Sequence, residues 1–445
     1  MQRYRTFWPI LSVFVVSLIV RITYNLTAAN GYFPKYDARL YEIIANSLIG
    51  PQHCFCLFSR IPTTSRAPLW PWIIAAIYSV MGPENIYPRL FLCVLGSGTC
   101  VLIYLLAREL FSPRIALVTG LLAAVYVGMF LYDGWLFSES LYTFLSTALV
   151  YALFRLQRCL ISSAKISGSK WSVFSELRRW QLVCGALVGL ASLTRPNGPV
   201  LYGILLIWGG ILLVCRLSSW QIMLRSLLII ICVSLVFILP WTYRNYYSAH
   251  ESTLVATGMG EVLAGAYNDT VVVGNPETGP GYWVSRDKVV PALPEAQKKP
   301  HHDSYGYTAE NEKQDVALAI HWMRTHVSEL PALIGWHFIH MWQPYTLEPG
   351  LPIKEFPDRL ASQIVWYLLY IMSIPVFLLA FAGLIATLRS RWVLLLPIYL
   401  MLGSTIAVNL ALYANMRFRA PIEPLLVLLV GGLLWRCSQM RKAST

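Results

Sequence analysis

Two acids and a set of arginines stand out in a chain that otherwise avoids charge. Asp37 follows the first long apolar segment, at the head of a short amphipathic stretch from Tyr36 to Gly50. Leu40, Ile43, Ile44 and Leu48 recur behind it at helical spacing. A carboxylate held at a membrane surface is costly unless function or a partner compensates, so Asp37 is the first candidate for proton transfer. Asp is also a favoured helix N-cap, and Tyr36 before it fits that geometry; a cap and a catalytic role are compatible. Glu139 is the second candidate, in Phe137-Ser138-Glu139-Ser140-Leu141, where another apolar run begins. Its bland alternative is a first-turn acid favoured by the helix dipole, with Ser138 as cap. Asp133, six residues earlier, competes for the same role. Two acids on one membrane face could orient a hydroxyl or amine and remove its proton.

The arginines suggest the other half of a reaction. Arg66 precedes Ala67-Pro68-Leu69, and Arg244 follows Pro240-Trp241-Thr242-Tyr243. Arg195 lies in Leu193-Thr194-Arg195-Pro196, and Arg417 and Arg419 lie in Met416-Arg417-Phe418-Arg419-Ala420-Pro421. Guanidinium is always charged and bidentate, which suits a phosphate at an interface. The alternative is snorkelling of each to the lipid headgroups. His337 and His340 sit one helical turn apart without a third ligand nearby, so interfacial packing is the better reading; His301-His302 is equally unspecific. No phosphate-cradling glycine loop, nucleotide motif or Ser/His/Asp arrangement occurs, so a sugar or phosphoryl donor would not be a nucleotide.

These residues need a scaffold, and composition says which kind. Of 445 residues, 56% are hydrophobic and only 13% charged, with a mean hydropathy of +0.55, which is the signature of a polytopic membrane protein. The net charge of +13 is scattered through short loops rather than gathered on one face, which argues against nucleic-acid binding. Residues 7–26 are too long for a signal-peptide core and lack a small-residue cleavage site behind them. The nine cysteines form no disulfide framework: most lie in apolar runs, and Cys54 with Cys56 is too sparse for a metal site.

Ten spans are expected: 7–26, 88–107, 115–132, 140–157, 181–194, 197–215, 222–241, 362–388, 392–413 and 420–437. The 181–194 run is short, but Gly185 and Gly189 allow close helix packing. The stretches 69–82 and 332–343 are too short to cross and read as interfacial helices. This arrangement gathers Arg108, Arg114, Arg155, Arg158, Lys165, Lys170, Arg178, Arg179, Arg216, Arg225, Arg389, Arg391, Arg436, Arg441 and Lys442 on the N-terminal, cytosolic side. Loop 27–87, the Tyr132–Ser138 turn, Arg195-Pro196-Asn197 and the polar stretch 243–360 fall on the other side. The expected organisation is a membrane module over 1–242, an extracytoplasmic loop subdomain over 243–360 with Gly/Pro punctuation at Gly274 to Gly281 and Pro291 to Pro300, and membrane helices over 361–445.

Taken in order, several blocks resemble the GT-C glycosyltransferases that use polyprenyl-phosphate sugars, especially the protein O-mannosyltransferases and the aminoarabinose lipid A transferases. The blocks are Tyr36-Asp37-Ala38-Arg39-Leu40-Tyr41, Arg66-Ala67-Pro68-Leu69-Trp70-Pro71, Pro88-Arg89-Leu90 with Tyr104-Leu105-Leu106-Ala107-Arg108, Ser138-Glu139-Ser140-Leu141, Gly189 to Pro196, Pro240 to Asn245 and Arg417 to Pro421. The resemblance implies an all-α GT-C bundle with interfacial helices in the first extracytoplasmic loop. It implies that Asp37 is the essential first-loop acid, as base or acceptor-orienting group, and that Glu139 is the second-loop acid. Arg66 and Arg244 become candidates for the carrier phosphate. The implied reaction is inverting transfer of a monosaccharide from a polyprenyl-phosphate donor to a lipid, glycan or protein acceptor, in the cytoplasmic membrane with the site facing the periplasm or exterior, or in the endoplasmic reticulum of a eukaryote. No cofactor is assigned, and a divalent metal is left open. Two departures matter: Ala38 replaces the acid that follows the key Asp in the protein mannosyltransferases, and Ser65 stands where the aminoarabinose transferases have a metal-binding acid. The rival readings are a flippase of lipid-linked sugars, and a ligase or polymerase using polyprenyl-diphosphate oligosaccharides.

Overall fold

The computed structural model describes residues 4–58, 61–163, 171–274, 279–285, 308–344, 355–357 and 359–444. Lys165, Lys170, His301, His302 and the Pro291 to Pro300 run lie outside them. Among the described residues no strand forms; an isolated bridge joins Cys56 to Pro62. Cys54 and Cys56 form a disulfide, and the other seven cysteines are free.

The chain folds as apolar helices because a backbone in hydrocarbon must satisfy its own polar groups. Helix α1 (Tyr4–Leu26) leads into the first loop, which holds α2 (Tyr36–Ile49) and α3 (Leu69–Met81). Then come α4 (Ile86–Leu110), α5 (Pro113–Val125), the short α6 (Val127–Phe130), a 3-10 turn (Leu131–Gly134), α7 (Glu139–Ser163), α8 (Trp171–Ser192), α9 (Val200–Val214) and α10 (Trp220–Ser248). The polar stretch contributes α11 (Met259–Ala266), α12 (Asp269–Val273), α13 (Ala309–Thr325) and α14 (Leu330–Trp342). The chain closes with α15 (Leu360–Arg391), α16 (Leu396–Ala411), a 3-10 helix (Met416–Ile422) and α17 (Glu423–Ser444).

Six helices among the described residues are long and apolar enough to cross a membrane, and the α5–α6 pair makes a seventh if its two parts count together. This is a multi-pass membrane protein. The expected count of ten is not reached on length and composition alone: α9 and α16 are shorter apolar helices, and α8 is not among the six. The expected straight span over 115–132 is instead bent by 68° at Tyr126. Tyr126 has extended backbone angles, and its buried hydroxyl donates to Glu423 at 3.1 Å and lies 3.3 Å from Ser373. Gly128 permits the break, since any Cβ there would sit 2.7 Å from the Tyr126 ring.

The glycines of α8 behave as their spacing suggests. Cβ atoms at Gly185 and Gly189 would press on Val233 and Phe237 of α10, so the two helices meet backbone to side chain. The short stretches 69–82 and 332–343 form α3 and α14. A separate apolar cluster joins Ala266, Tyr267 and Val271 to Ala319, Trp322 and Leu333, with Tyr413 attached, and gives the polar stretch its own small core.

Candidate active site

Asp37 is brought to the site by α2, although not as its cap. The helix begins before it, Lys35 takes the cap position without a side-chain cap bond, and the Asp37 carboxylate turns away to two arginines. This corrects the capping expectation: a carboxylate gains more from two guanidiniums than from one backbone N–H. Tyr36 has a φ of +47° and is 65% exposed beside the site. A left-handed backbone is unusual at so bulky a residue, and such strain persists only where neighbours hold it.

The remaining members arrive from four distant turns. Arg66 lies just before α3, whose Trp70 indole donates to the Leu136 carbonyl at 3.0 Å and whose Leu69 N–H donates to the Leu193 carbonyl at 2.9 Å. These bonds tie the Arg66 turn to the turns carrying Glu139 and Arg195. Glu139 opens α7 and is fully buried. Arg417 sits in the 3-10 helix before α17, where the Asn415 side chain accepts from the N–H groups of Arg417, at 2.9 Å, and Phe418.

Together these residues form one continuous network. Arg66 Nη2 donates to Asp37 Oδ1 at 2.8 Å, and Arg417 Nη1 donates to Asp37 Oδ2 at 3.0 Å. Arg417 Nε also donates to Glu139 Oε1, which accepts from Arg195 Nη1 at 3.3 Å. One guanidinium thus bridges both acids. Arg417 lies 3.9 Å over the Phe137 ring, and Arg195 lies 5.4 Å over Phe418. Burial opposes ionisation of Asp37, but Arg66 and then Arg417 outweigh it and hold the carboxyl well below the usual range. Buried atoms in the network remain without a hydrogen bond, namely Glu139 Oε2 and Arg66 Nε. The Asp37 side chain is 34% exposed and Arg66 24%, so the open end of the network is at Asp37.

Three candidates lie elsewhere. Asp133 pairs with Arg21 of α1 at 2.9 Å, both essentially inaccessible, in a buried ion pair separate from Glu139. Arg244 stacks 4.6 Å over Trp241 and donates to the Thr63 carbonyl at 2.8 Å and the Phe55 carbonyl at 3.1 Å. It clamps the first loop onto α10 instead of joining the acids. Arg419 pairs with Glu423 at 2.6 Å and donates to the carbonyls of Met341 and Gln343. His337 bonds the Leu410 carbonyl at 2.9 Å and His340 stacks on Tyr282, as packing residues do.

Sequence reading passed over Glu355, a buried acid whose carboxyl lies within the electrostatic reach of Arg417 and Asp37. Its only signal is an acid between hydrophobic and proline residues, Ile353-Lys354-Glu355-Phe356-Pro357. As for a metal, Asp37 and Glu139 are committed to guanidiniums, and no group of three or more His, Cys, Asp or Glu fit to hold an ion occurs among the described residues.

The model of the dolichyl-phosphate-mannose-protein mannosyltransferase family matches residues 65–243, a stretch that carries Arg66, Glu139 and Arg195. No curated protein matches the chain in sequence. The oligosaccharyltransferase of Archaeoglobus fulgidus in its apo form superposes with a TM-score of 0.56 at 14% identity, over 100% of this chain and 52% of that one. The oligosaccharyltransferase AglB, also from Archaeoglobus fulgidus, in complex with an inhibitory peptide and a dolichol-phosphate gives 0.54 at 13% identity, over 99% and 51%. ArnT from Cupriavidus metallidurans in the apo state gives 0.43 at 16% identity, over 97% and 76%. The chain spans about half the length of the archaeal structures, on which the fold likeness rests. The chain therefore shares the fold of these archaeal structures and carries the protein-mannosyltransferase family pattern over residues 65–243.

Proposed function

We propose that this chain is an integral-membrane glycosyltransferase that moves a monosaccharide from a polyprenyl-phosphate carrier to a lipid, glycan or protein acceptor. The observation that carries the proposal is the Arg66–Asp37–Arg417–Glu139–Arg195 network. Three guanidiniums face two carboxylates, so the network has one positive charge in excess, which suits the single charge of a phosphodiester. The family match over 65–243 supports a polyprenyl-phosphate donor, and the archaeal structure containing dolichol-phosphate supports a lipid phosphate in a chamber of this fold.

In this scheme the donor phosphate draws Arg66 and Arg417 toward itself. Asp37, relieved of part of its ion pairing, then becomes basic enough to take a proton. The acceptor's oxygen or nitrogen bonds to the anomeric carbon as the carbon–oxygen bond to phosphate breaks. Polyprenyl phosphate leaves with the bonding electrons, its growing charge met by the arginines, and the acceptor proton passes to Asp37. Attack opposite the leaving group inverts the anomeric centre. Glu139 keeps Arg417 oriented toward Asp37. No step is routed through a metal.

The site would face the periplasm or exterior from a cytoplasmic membrane. Glu139 and Arg158 lie at opposite ends of α7, separated by about 28 Å of helical rise, close to one hydrocarbon thickness. Arg158 and Arg155 meet Glu109 and Glu176 at that far end, which is the basic end expected in the cytosol. The test is release of the free carrier by purified protein, polyprenyl phosphate from a monophosphate donor or polyprenyl diphosphate from a diphosphate donor, with an envelope lipid extract as acceptor. Transfer from the monophosphate alone is expected, and Asp37→Asn should lower it about 10²–10⁴-fold. Release only from diphosphate donors, or undiminished release by Asp37→Asn, would overturn the proposal.

A further inference from the structure

Glu355, Phe356 and Pro357 form a short strap ahead of α15, and the strap is fastened to the connection that leads from α1 to Asp37. The Phe33 N–H donates to the Glu355 carbonyl at 3.0 Å, and Ser362 at the start of α15 donates to the Ala28 carbonyl at 2.9 Å. Phe356 fits between Trp135, at 4.6 Å, and Tyr32, at 5.3 Å, with Trp366 behind it at 6.2 Å. The backbone and the ring suffice to hold the strap, so the Glu355 carboxyl is left to explain.

Glu355 is 1% exposed, and among the described residues neither of its buried carboxyl oxygens has a hydrogen-bond partner of ordinary geometry. Among the described residues no guanidinium or ammonium pairs with it. Its polar neighbours are the Tyr32 hydroxyl and the Lys35 main chain, with Arg417 and Asp37 further off. The Tyr32 oxygen already accepts from the Leu136 N–H at 3.1 Å, and Arg89 lies 5.0 Å over its ring. An unpaired buried carboxylate is costly and takes up a proton instead. Burial here raises Glu355 to about 8 against smaller opposing effects from Tyr32, Lys35 and Arg417, with Asp37 adding to the rise.

We propose that Glu355 is a positioning residue that works as an uncharged carboxylic acid, filling the space between Tyr32 and the main chain before α2 without a charge, so that Asp37 keeps Arg417 to itself. The proposal rests on the transferase reading above. Ionised, Glu355 would compete with Asp37 for Arg417 and repel it, so activity is present while the acid holds its proton and is lost as pH rises through its titration.

The experiment compares wild type, Glu355→Gln and Glu355→Ala in polyprenyl-phosphate release from pH 6 to pH 9.5, with kcat and KM separated. Removing the buried carboxyl should cost Glu355→Ala about tenfold in kcat with little change in donor KM. Glu355→Gln, which keeps shape and a donor without the titration, should restore most of that loss and remove the alkaline limb. A Glu355→Gln variant as impaired as Glu355→Ala would show that the charge is needed, and an alkaline limb unmoved by Glu355→Gln would show that another group titrates; either overturns the proposal. Infrared difference spectra keep the two readings apart, because they need no turnover. Wild type at pH 7 should show a protonated-carboxyl stretch that disappears at alkaline pH and is missing in Glu355→Gln, and its absence at pH 7 also overturns the inference. If that band is present and no variant or wild type transfers sugar, the transferase reading alone fails.

Discussion

Arg417 is the sharpest point at which to test the site. Its Nε serves Glu139 while its Nη1 serves Asp37, on two acids separated by 278 and 380 residues in the chain. A lysine at 417 keeps the charge but presents a single ammonium in place of a planar fork, so it can satisfy one acid well and the other poorly. The loss of one hydrogen bond between charged groups amounts to about 1.5–3 kcal/mol. If that loss falls on the transition state, Arg417→Lys should lower kcat/KM about 10–150-fold. Arg417→Met leaves the fully buried Glu139 with Arg195 alone at 3.3 Å, and the loss should grow to about 10²–10³-fold, in the range for removing one charge-stabilising donor. The assay is mass-spectrometric release of polyprenyl phosphate from a monophosphate donor, run on variants whose thermal unfolding in detergent has been measured alongside. With Arg417 removed, Asp37 loses one of the two guanidiniums that depress its pKa, so its acid limb should move to higher pH. Wild-type kcat/KM in Arg417→Lys, or an acid limb that stays in place in Arg417→Met, would refute the bridging role.

Arg244→Ala should lower thermal stability through the loss of its two carbonyl bonds, about 1–3 kcal/mol, while leaving donor KM in the surviving folded protein close to wild type; a donor KM raised tenfold would return Arg244 to the phosphate site. Asp133→Asn strands the inaccessible Arg21, and the expected outcome is a loss of about 3–5 kcal/mol in stability, seen as poor yield and a lowered unfolding midpoint. Because the folded-state pKa of Asp37 is depressed, its stabilising contribution is present above the unfolded carboxylate range and is lost as pH falls from that range through the lower folded-state pKa. The stability difference between wild type and Asp37→Asn should therefore shrink progressively as pH falls below about 4, and a difference that grows toward acid would contradict the sign.

The helical elements were largely legible in the sequence because their determinants are local: apolar runs of span length, Gly185 and Gly189 at close-packing intervals, and amphipathic spacing behind Asp37. Asp37, Glu139, Arg66 and Arg195 could be nominated one at a time from charge placed at the ends of such runs. Other features were misread where a local cue had two solutions. The Asp37 cap failed because two arginines offered a stronger partner than backbone N–H groups. The straight 115–132 span failed because Tyr126 finds Glu423, 297 residues away. Asp133 and Arg244 looked like site residues by position, and packing gave them to Arg21 and to the first-loop carbonyls instead.

Charge sparsity and hydrophobic run length, read from the chain alone, determined a helical membrane protein with acids and arginines at helix ends, since each helix closes its own hydrogen bonds and each charge seeks the edge of the apolar layer. Which acid meets which arginine was decided only by the tertiary structure. Arg417, ranked behind other arginines in the sequence, became the link between both carboxylates, and Glu355 emerged as a buried acid beside them. The reason is that an ion pair depends on distance in space, and no local pattern records where a turn 380 residues away will be placed.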